Sequence, residues 1–114
     1  MLPSNPLDLR FLVTDDDRTP FAAWFDQLDT VAAAKVTIAL VRLAQGNLSR
    51  AKSVGEGVLE CRIDWGPGYR IYFGRDGAAL VILLTGGTKQ RQQRDIERAK
   101  ALWAAYRRGR RRDE

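Results

Sequence analysis

Alternating apolar and polar residues predict four strands in this chain of 114 residues. The predicted strands span Leu7 to Thr14, Leu59 to Trp65, Tyr69 to Gly74 and Leu80 to Leu84. The last of these is apolar at every position, as expected of a strand that is buried on both faces. Gly66-Pro67-Gly68 predicts a turn, and Asp76-Gly77 predicts a two-residue hairpin turn with both residues at positive φ.

Apolar residues at helical spacing predict a pair of helices after the first strand. The stripe of the first helix consists of Phe21, Trp24, Phe25 and Leu28. Thr19 can cap this helix, with Pro20 at the first helical position, where a missing N–H does no harm. Asp29-Thr30 can cap the second helix, and Gly46 suits the left-handed residue that ends it. We expect the two helices to form an antiparallel hairpin with its apolar side on the sheet.

A final helix is predicted from about Gln90 to Arg108. Its apolar face consists of Ile96, Ala99, Trp103 and Tyr106. The whole order is then β-α-α-β-β-β-α within a single domain over residues 1–114. This order predicts an α+β fold, in which a small, mostly antiparallel twisted sheet carries the helical hairpin on one face and is followed by a C-terminal helix. The basic residues after Tyr106 are expected to form a tail over residues 107–114.

Missing residue types exclude several kinds of chemistry. The chain contains no histidine, which excludes Ser-His-Asp and Cys-His catalysis and nearly all zinc-hydrolase designs. The single cysteine, Cys61, cannot form an intramolecular disulfide, and its position in the alternation predicts a small buried hydrophobe. We therefore expect no metal and no cofactor, and any catalysis must use Lys, Arg, Tyr, carboxylates or backbone dipoles.

The sequence predicts neither a membrane-spanning helix nor a signal peptide. Its longest uninterrupted apolar run, Ala78 to Leu84, is far shorter than the roughly 20 residues that a spanning helix needs. The segment from Met1 to Pro6 lacks a basic cluster followed by an apolar stretch, so no signal peptide is predicted. We expect a cytoplasmic protein that does not bind membranes.

Positive charge is concentrated in the second half of the chain. The formal net charge is +5, although the segment from Met1 to Val31 has two basic and six acidic residues. From Gly86 to Glu114 there are ten basic and four acidic residues. This distribution favours a polyanionic partner, nucleic acid first and an acidic protein second. The alternative is a solvated helix face that carries arginines without a partner.

The phases of the middle strands predict a cationic surface. If Cys61 and Ile71 face the helices, then Arg62, Arg70 and Tyr72 share the other, open face of the sheet. Lys52, in the loop before these strands, and Lys89, after the last strand, would flank them. Such a group of cations with one phenol suits a phosphodiester. The alternative is a solvated face on which Arg70 forms cross-strand pairs with Glu60 or Asp64.

Lys89 also lies where a single phosphate could bind. It follows Gly86-Gly87-Thr88 and immediately precedes the last helix, so exposed N–H groups, the positive helix end and a cation are combined. The spacing is not that of a P-loop. Gln93, one turn into the helix, could donate a further hydrogen bond, and Arg91 and Arg94 would extend the basic surface.

Several segments, in this order, resemble the RelE/ParE toxin superfamily and, more narrowly, its HigB-like branch of phage-derived addiction module killer proteins. The resemblance extends over residues 7 to 106. The segments that carry it are Thr19 to Phe25, Gly46-Asn47, Lys52 to Ile63, Gly66 to Phe73, Leu83 to Lys89 and Asp95 to Ala99. The blocks Gly-Tyr-Arg-Ile-Tyr-Phe and Gly-Gly-Thr-Lys are the most specific of them.

The resemblance implies the toxin of a type II toxin–antitoxin pair, most members of which are endoribonucleases that enter the ribosomal A site and cut mRNA. The implied reaction is attack of a ribose 2′-OH on the adjacent phosphate, without a metal. The implied partners are the ribosome, mRNA and a cognate antitoxin, an acidic or helix-turn-helix protein encoded by the adjacent gene. Two alternatives remain open: a ParE-like inhibitor of DNA gyrase, and a non-catalytic module that binds nucleic acid or the antitoxin.

The resemblance also assigns roles to residues by motif position. Arg70 matches an arginine proposed to hold the scissile phosphate. Lys52, Arg62 and Lys89 match basic positions before the second strand, within it and after the last strand. The superfamily's tyrosine near the C-terminus is not carried over to Tyr106, which belongs to the predicted core stripe. We expect Lys52 to be the general base, with Tyr72 as the second choice.

Overall fold

Five strands form one mixed sheet in this computed structural model, which describes residues 6–113 and the side chains of residues 6–110. In chain order the elements are β1 (Asp8–Phe11), α1 (Pro20–Asp26), α2 (Thr30–Ala44), β2 (Ala51–Gly55), β3 (Val58–Ile63), β4 (Tyr69–Asp76), β5 (Leu80–Thr88), a short 3-10 helix (Lys89–Arg91) and α3 (Gln92–Asp113). The α+β class and the C-terminal helix are confirmed. No helix among these residues is long and apolar enough to cross a membrane.

The strands are arranged in the order β1-β5-β4-β3-β2. β1 pairs with β5 in parallel, and the other neighbours are antiparallel. The sheet is therefore mostly antiparallel, as the pattern predicts. β1 and β2 are the two edge strands, so β3, β4 and β5 form the middle of the sheet and carry most of the buried side chains.

The first core lies between the sheet and the helical pair α1 and α2. Phe21, Val36 and Leu43 extend from the helices and are almost fully buried. They pack on Cys61, Ile71, Phe73, Val81 and Leu83 of the sheet. The predicted stripe of α1 is thus a core stripe, in which Trp24, Phe25 and Leu28 are partly buried against this cluster.

The second core lies on the opposite face of the sheet, beneath α3. Ala99 and Trp103 of the helix are buried there against Val58, Tyr72, Ile82 and Leu84. Gly74 makes the close approach of α3 possible, because a Cβ at this position would stand 2.5 Å from the Trp103 ring. The sheet face that the strand phases predict to be open is therefore covered by α3.

The ends of the helices follow the predictions in part. The Asp29 side chain accepts a hydrogen bond of 2.8 Å from the Ala32 N–H, and Gly46 takes φ 86°, so both predicted signals of α2 are confirmed. Thr19 is the N-cap of α1 but forms no side-chain capping bond. α3 continues to Asp113, so the prediction of a tail from residue 107 is wrong for the described part. Residues 1–5 and 114 lie outside the described residues.

β2 is a strand where the sequence pattern predicts a loop. Gly55 pairs with Val58, and the two turn residues between them, Glu56 and Gly57, take φ of 55° and 83°. The β4–β5 turn also differs from the prediction. Asp76 pairs with Leu80 across a loop of three residues. Gly77, in this loop, has positive φ, whereas Asp76, at the end of β4, does not.

Candidate functional site

A buried carboxylate on β3 lies at the centre of the predicted cationic surface. Glu60 has no solvent exposure, and its two oxygens accept hydrogen bonds of 3.2 and 2.9 Å from Nε2 of Gln92. Nζ of Lys52 lies 3.9 Å from one Glu60 oxygen, and Nε of Arg70 lies 3.8 Å from the other. We call these four residues the Glu60 cluster. It joins side chains from β2, β3, β4 and α3.

The strand register explains why these groups meet. Lys52 is opposite Glu60, Glu60 is opposite Tyr72, and Tyr72 is opposite Thr85, so one row of side chains crosses four strands. Residues directly opposite each other on neighbouring strands project from the same face of a sheet. The prediction that Arg62, Arg70 and Tyr72 share a face therefore holds, since Arg62 is opposite Arg70 in the next row.

Arg70 is buried beneath the turn between β3 and β4. Its side chain is 6% exposed, and its Nη1 donates a hydrogen bond of 3.0 Å to the Gly68 carbonyl. A Cβ on Gly68 would stand 3.3 Å from both this Nη1 and the Cβ of Lys89, so a side chain at this position would be in tight contact with both residues. Arg70 thus supports the turn and faces Glu60, with its guanidinium withdrawn from solvent.

Lys89 is exposed and begins the 3-10 helix before α3. Its N–H donates a hydrogen bond of 2.8 Å to the Gly68 carbonyl, which also accepts the hydrogen bond from Nη1 of Arg70. Gly86 and Gly87 belong to β5 and are buried, and a Cβ on them would collide with Trp24 and Asp95 respectively. The prediction that Gly86-Gly87 exposes N–H groups to a phosphate is wrong, because both glycines make room for packed side chains.

Tyr72 lies in the interior, where α3 covers it completely. Burial, reinforced by the nearby Glu60 carboxylate, raises the pKa of its hydroxyl far above the usual range. A proton acceptor must lie within hydrogen-bond reach of the proton that it takes, which a side chain enclosed by α3 does not. The predictions of Tyr72 as an RNA contact and as a second choice of general base are therefore both wrong, because its side chain is fully buried.

Two further polar side chains lie between α3 and the sheet in the same region, one from β5 and one from α3 itself. Thr85 is buried, and the buried Oδ2 of Asp95 has no hydrogen-bond partner among the described residues. Burial raises the pKa of Asp95, while the charges of Arg91, Arg98 and Arg94 act in the opposite direction. One half of the α3 interface is thus polar, although its other half is the apolar core around Trp103.

The remaining predicted residues lie outside the cluster. Arg62, Arg91 and Arg94 are exposed. Gln93 is exposed too, and its amide donates a long hydrogen bond of 3.4 Å to Glu97. Gln92, one position earlier, contacts Glu60 in its place. The sequence pattern could not distinguish the two glutamines, because the 3-10 turn before α3 determines which side of the helix faces the sheet.

The arrangement has an excess of positive charge at its open end. Exposed Lys52 and buried Arg70 face one fully buried carboxylate, and exposed Arg62 and Lys89, on the flanking parts of β3 and the 3-10 helix, have no ion-pair partner among residues 6–110. Such an excess favours an anion, and arginine and lysine are the usual ligands of phosphate. Within the described part of the chain no three His, Cys, Asp or Glu side chains converge as metal ligands would.

Cys61 lies on the other face of the sheet, in the core formed with α1 and α2. It is buried, and this burial raises the pKa of its thiol. A buried thiol of raised pKa is a poor nucleophile. The prediction of Cys61 as a small buried hydrophobe is confirmed.

Fold and site together define a small α+β domain with an exposed cationic rim around a buried carboxylate. An uncharacterized protein of Haemophilus influenzae strain Rd is 45% identical to it over 83 residues, which are 72% of this chain and 84% of that protein. The chain belongs to the same family as this relative. No family model matches the chain.

Proposed function

We propose that this protein is the toxin of a type II toxin–antitoxin pair and a ribosome-dependent mRNA endoribonuclease of the RelE/ParE superfamily, HigB-like branch. The observation that supports the proposal best is the convergence of cations on Glu60. Lys52 and Arg70 approach this carboxylate from two different strands, and the Lys89 N–H and Nη1 of Arg70 bond to the same Gly68 carbonyl. They come from distant parts of the sequence, and a phosphodiester is the anion that such a group would hold.

The reaction we propose needs no metal and no histidine. The ribose 2′-OH loses its proton and attacks the adjacent phosphorus, the bond to the 5′-oxygen of the next nucleotide breaks, and that oxygen gains a proton. The products are a 2′,3′-cyclic phosphate and a 5′-OH. Cations placed at the developing negative charge lower the barrier to such a step.

We assign a role in this reaction to each cationic side chain from its exposure to solvent. Lys52 is exposed and can reach a bound RNA, so we assign it to the proton transfer. Arg62 and Lys89 are exposed without an ion pair and would hold phosphate oxygens. Arg70 is buried, and we assign it a positioning role, in which it holds Glu60 and the turn at Gly68 in place. Arg91 and Arg94 would bind RNA phosphates further from the reaction.

The proposed surroundings follow from this activity. The enzyme would act in the cytoplasm on mRNA within the ribosome. A cognate antitoxin from the adjacent gene, acidic or with a helix-turn-helix domain, would neutralise the cationic rim until it is degraded.

The test is induced expression in bacterial cells, followed by mapping of transcript 5′ ends. We expect growth arrest and new 5′-OH ends within translated regions, and we expect both to disappear in Lys52→Ala and Lys89→Ala. Arg10→Ala is the matched control, because Arg10 is an exposed cation on β1, the opposite edge of the sheet. Growth arrest without new ends contradicts the proposal. A loss of gyrase supercoiling would then point to the ParE-like activity, and no arrest at all would point to a non-catalytic module.

A further inference from the structure

A groove lies between α2 and the end of β3, on the sheet face opposite the Glu60 cluster. Its volume is about 260 Å³. We call it the α2–β3 groove. Its charged lining consists of Lys35, Arg42, Arg50, Arg62 and Asp64. Pockets for drug-sized ligands usually begin near 300 Å³, so this groove suits a group no larger than a single nucleotide.

The charges of the groove favour an anion. Among the described residues that line the groove, Asp64 carries the single carboxylate. Nη1 of Arg50 forms an ion pair with this carboxylate at 2.9 Å. Lys35, Arg42 and Arg62 have no ion-pair partner among residues 6–110. Three cations at the edge of a narrow groove would hold a phosphate, with the arginines binding two oxygens each.

The floor of the groove is apolar, which a site for phosphate alone does not require. Ala39 from α2 and Cys61 and Ile63 from β3 line it. Trp65 forms an aromatic wall, and its ring is supported by Tyr69, stacked on it with ring centroids 6.2 Å apart. Pockets that bind an aromatic ring commonly combine an apolar lining with a few polar groups that fix its orientation.

We propose that the α2–β3 groove binds one nucleotide of a single-stranded RNA, with its base on the apolar floor and its phosphate on Lys35 and Arg42. This inference rests on the proposed action on RNA. β2 pairs with β3 as far as Cys61, and beyond it the Arg62 N–H still donates a hydrogen bond of 3.3 Å to the Arg50 carbonyl, so the sheet edge ends beside the groove. Arg62 lines the groove and is also opposite Arg70 in the β3–β4 register. An RNA strand that crosses this edge would reach both the groove and the Glu60 cluster.

The experiment is an NMR titration of the full chain with each of the four ribonucleoside 5′-monophosphates and, separately, with inorganic phosphate. We expect shifts of the Trp65 indole and of the Ile63 and Asp64 amides. The tightest mononucleotide should bind about tenfold more tightly than inorganic phosphate and about tenfold more weakly to Arg42→Gln. Arg107→Gln, which removes an exposed cation of α3, is the matched control and should leave the affinity unchanged.

Three results would overturn the inference. Inorganic phosphate could bind as tightly as every nucleotide, the shifts could be confined to the neighbourhood of Lys52 and Gln92, or a poly-glutamate peptide could displace the nucleotide and bind more tightly. The last result would assign the groove to an acidic protein. Because binding is measured without cleavage, new transcript ends without nucleotide binding contradict the groove alone. Binding without transcript ends contradicts the proposed function alone.

Discussion

The two faces of the sheet are built differently. Between the sheet and α1 and α2 the contacts are apolar, and Phe21, Val36 and Leu43 fill the space. Beneath α3 a similar apolar half, around Trp103, adjoins a half in which Glu60, Arg70 and Thr85 are buried. Burying charged groups is unfavourable unless they are paired, so the second face is the more costly way to fill a core. This difference favours the apolar core beneath α1 and α2 as the main source of stability and the polar half beneath α3 as the place of the proposed catalysis.

The largest effect is expected on the apolar face. Phe21→Ala should lower the free energy of unfolding by about 3–5 kcal/mol, because it leaves a cavity among buried side chains. Urea titration measures the change. Transcript cleavage per folded molecule should remain as in the unchanged protein, since Phe21 contacts no member of the Glu60 cluster. A loss below about 1 kcal/mol would contradict the assignment of this face as the main source of stability.

The second-largest loss of stability is expected in the polar half of the α3 face. Glu60→Met should lower the free energy of unfolding by about 3 kcal/mol, because buried Arg70 loses its carboxylate partner. Arg70→Met should be costly for the same reason. The double variant should cost less than the sum of the two by about 1–3 kcal/mol, as residues in contact do.

Additive costs in this cycle, measured by urea titration, would show that the 3.8 Å approach of Arg70 to Glu60 carries no coupling. Glu60→Met should also abolish transcript cleavage, because Lys52 loses the group that holds it near the cluster. Cleavage at the level of the unchanged protein would contradict the role of the cluster.

A smaller effect concerns the apolar half beneath α3. Gly74→Ala should lower the free energy of unfolding by about 1–3 kcal/mol, because its Cβ would stand 2.5 Å from the Trp103 ring. Gly109→Ala is the matched control. It lies in α3 with no atom within 4 Å of its Cβ, and it should raise stability by about 0.5–1 kcal/mol through helix propensity. Thermal unfolding compares the two, and equal midpoints would contradict the packing of Trp103 on β4.

The smallest effect is a pH dependence at the far end of α3. Burial, a hydrogen bond to Asp76 and the charge of that carboxylate raise the pKa of Tyr106 to about 12. A raised folded-state pKa adds stability below the unfolded value of 10.0, and this stability is lost as the pH rises through 12. The difference in the free energy of unfolding between the unchanged protein and Tyr106→Phe should therefore shrink as the pH rises through this range. The change should be at most about 1 kcal/mol, because the group is partly exposed. A constant difference contradicts this account of the Tyr106–Asp76 contact.

Strand phases were the most informative part of the sequence. β3 and β4 alternate clearly, so the pairing of Arg62 with Arg70 on one face was predictable. β2 was not, because Ala51, Ser53 and Gly55 give no strong apolar alternation and an edge strand has only one neighbour to pack against. Lys52 was therefore expected in a loop, although the pairing with β3 is what holds it opposite Glu60.

The covering of the site by α3 was the least predictable feature. The stripe at Ala99 and Trp103 shows that this helix needs an apolar surface, but either face of the sheet could have supplied one. Two glycines allow α3 to pack on the face that it covers. Gly74 leaves room for Trp103, and Gly87 leaves room for Asp95. The strand phases place Glu60 on the same face as Arg70. The contact of Glu60 with Gln92 was not predictable, because it depends on which face of the sheet α3 covers.

The proposed cleavage of mRNA by this protein can be measured with purified components. Ribosomes programmed with a defined mRNA are incubated with the protein in excess chelator, and the ends of the products are identified chemically. We expect cleavage to a 2′,3′-cyclic phosphate and a 5′-OH, retained in Arg10→Ala and lost in Lys52→Ala. Intact mRNA with the unchanged protein, or cleavage that persists in Lys52→Ala, would contradict the proposed function.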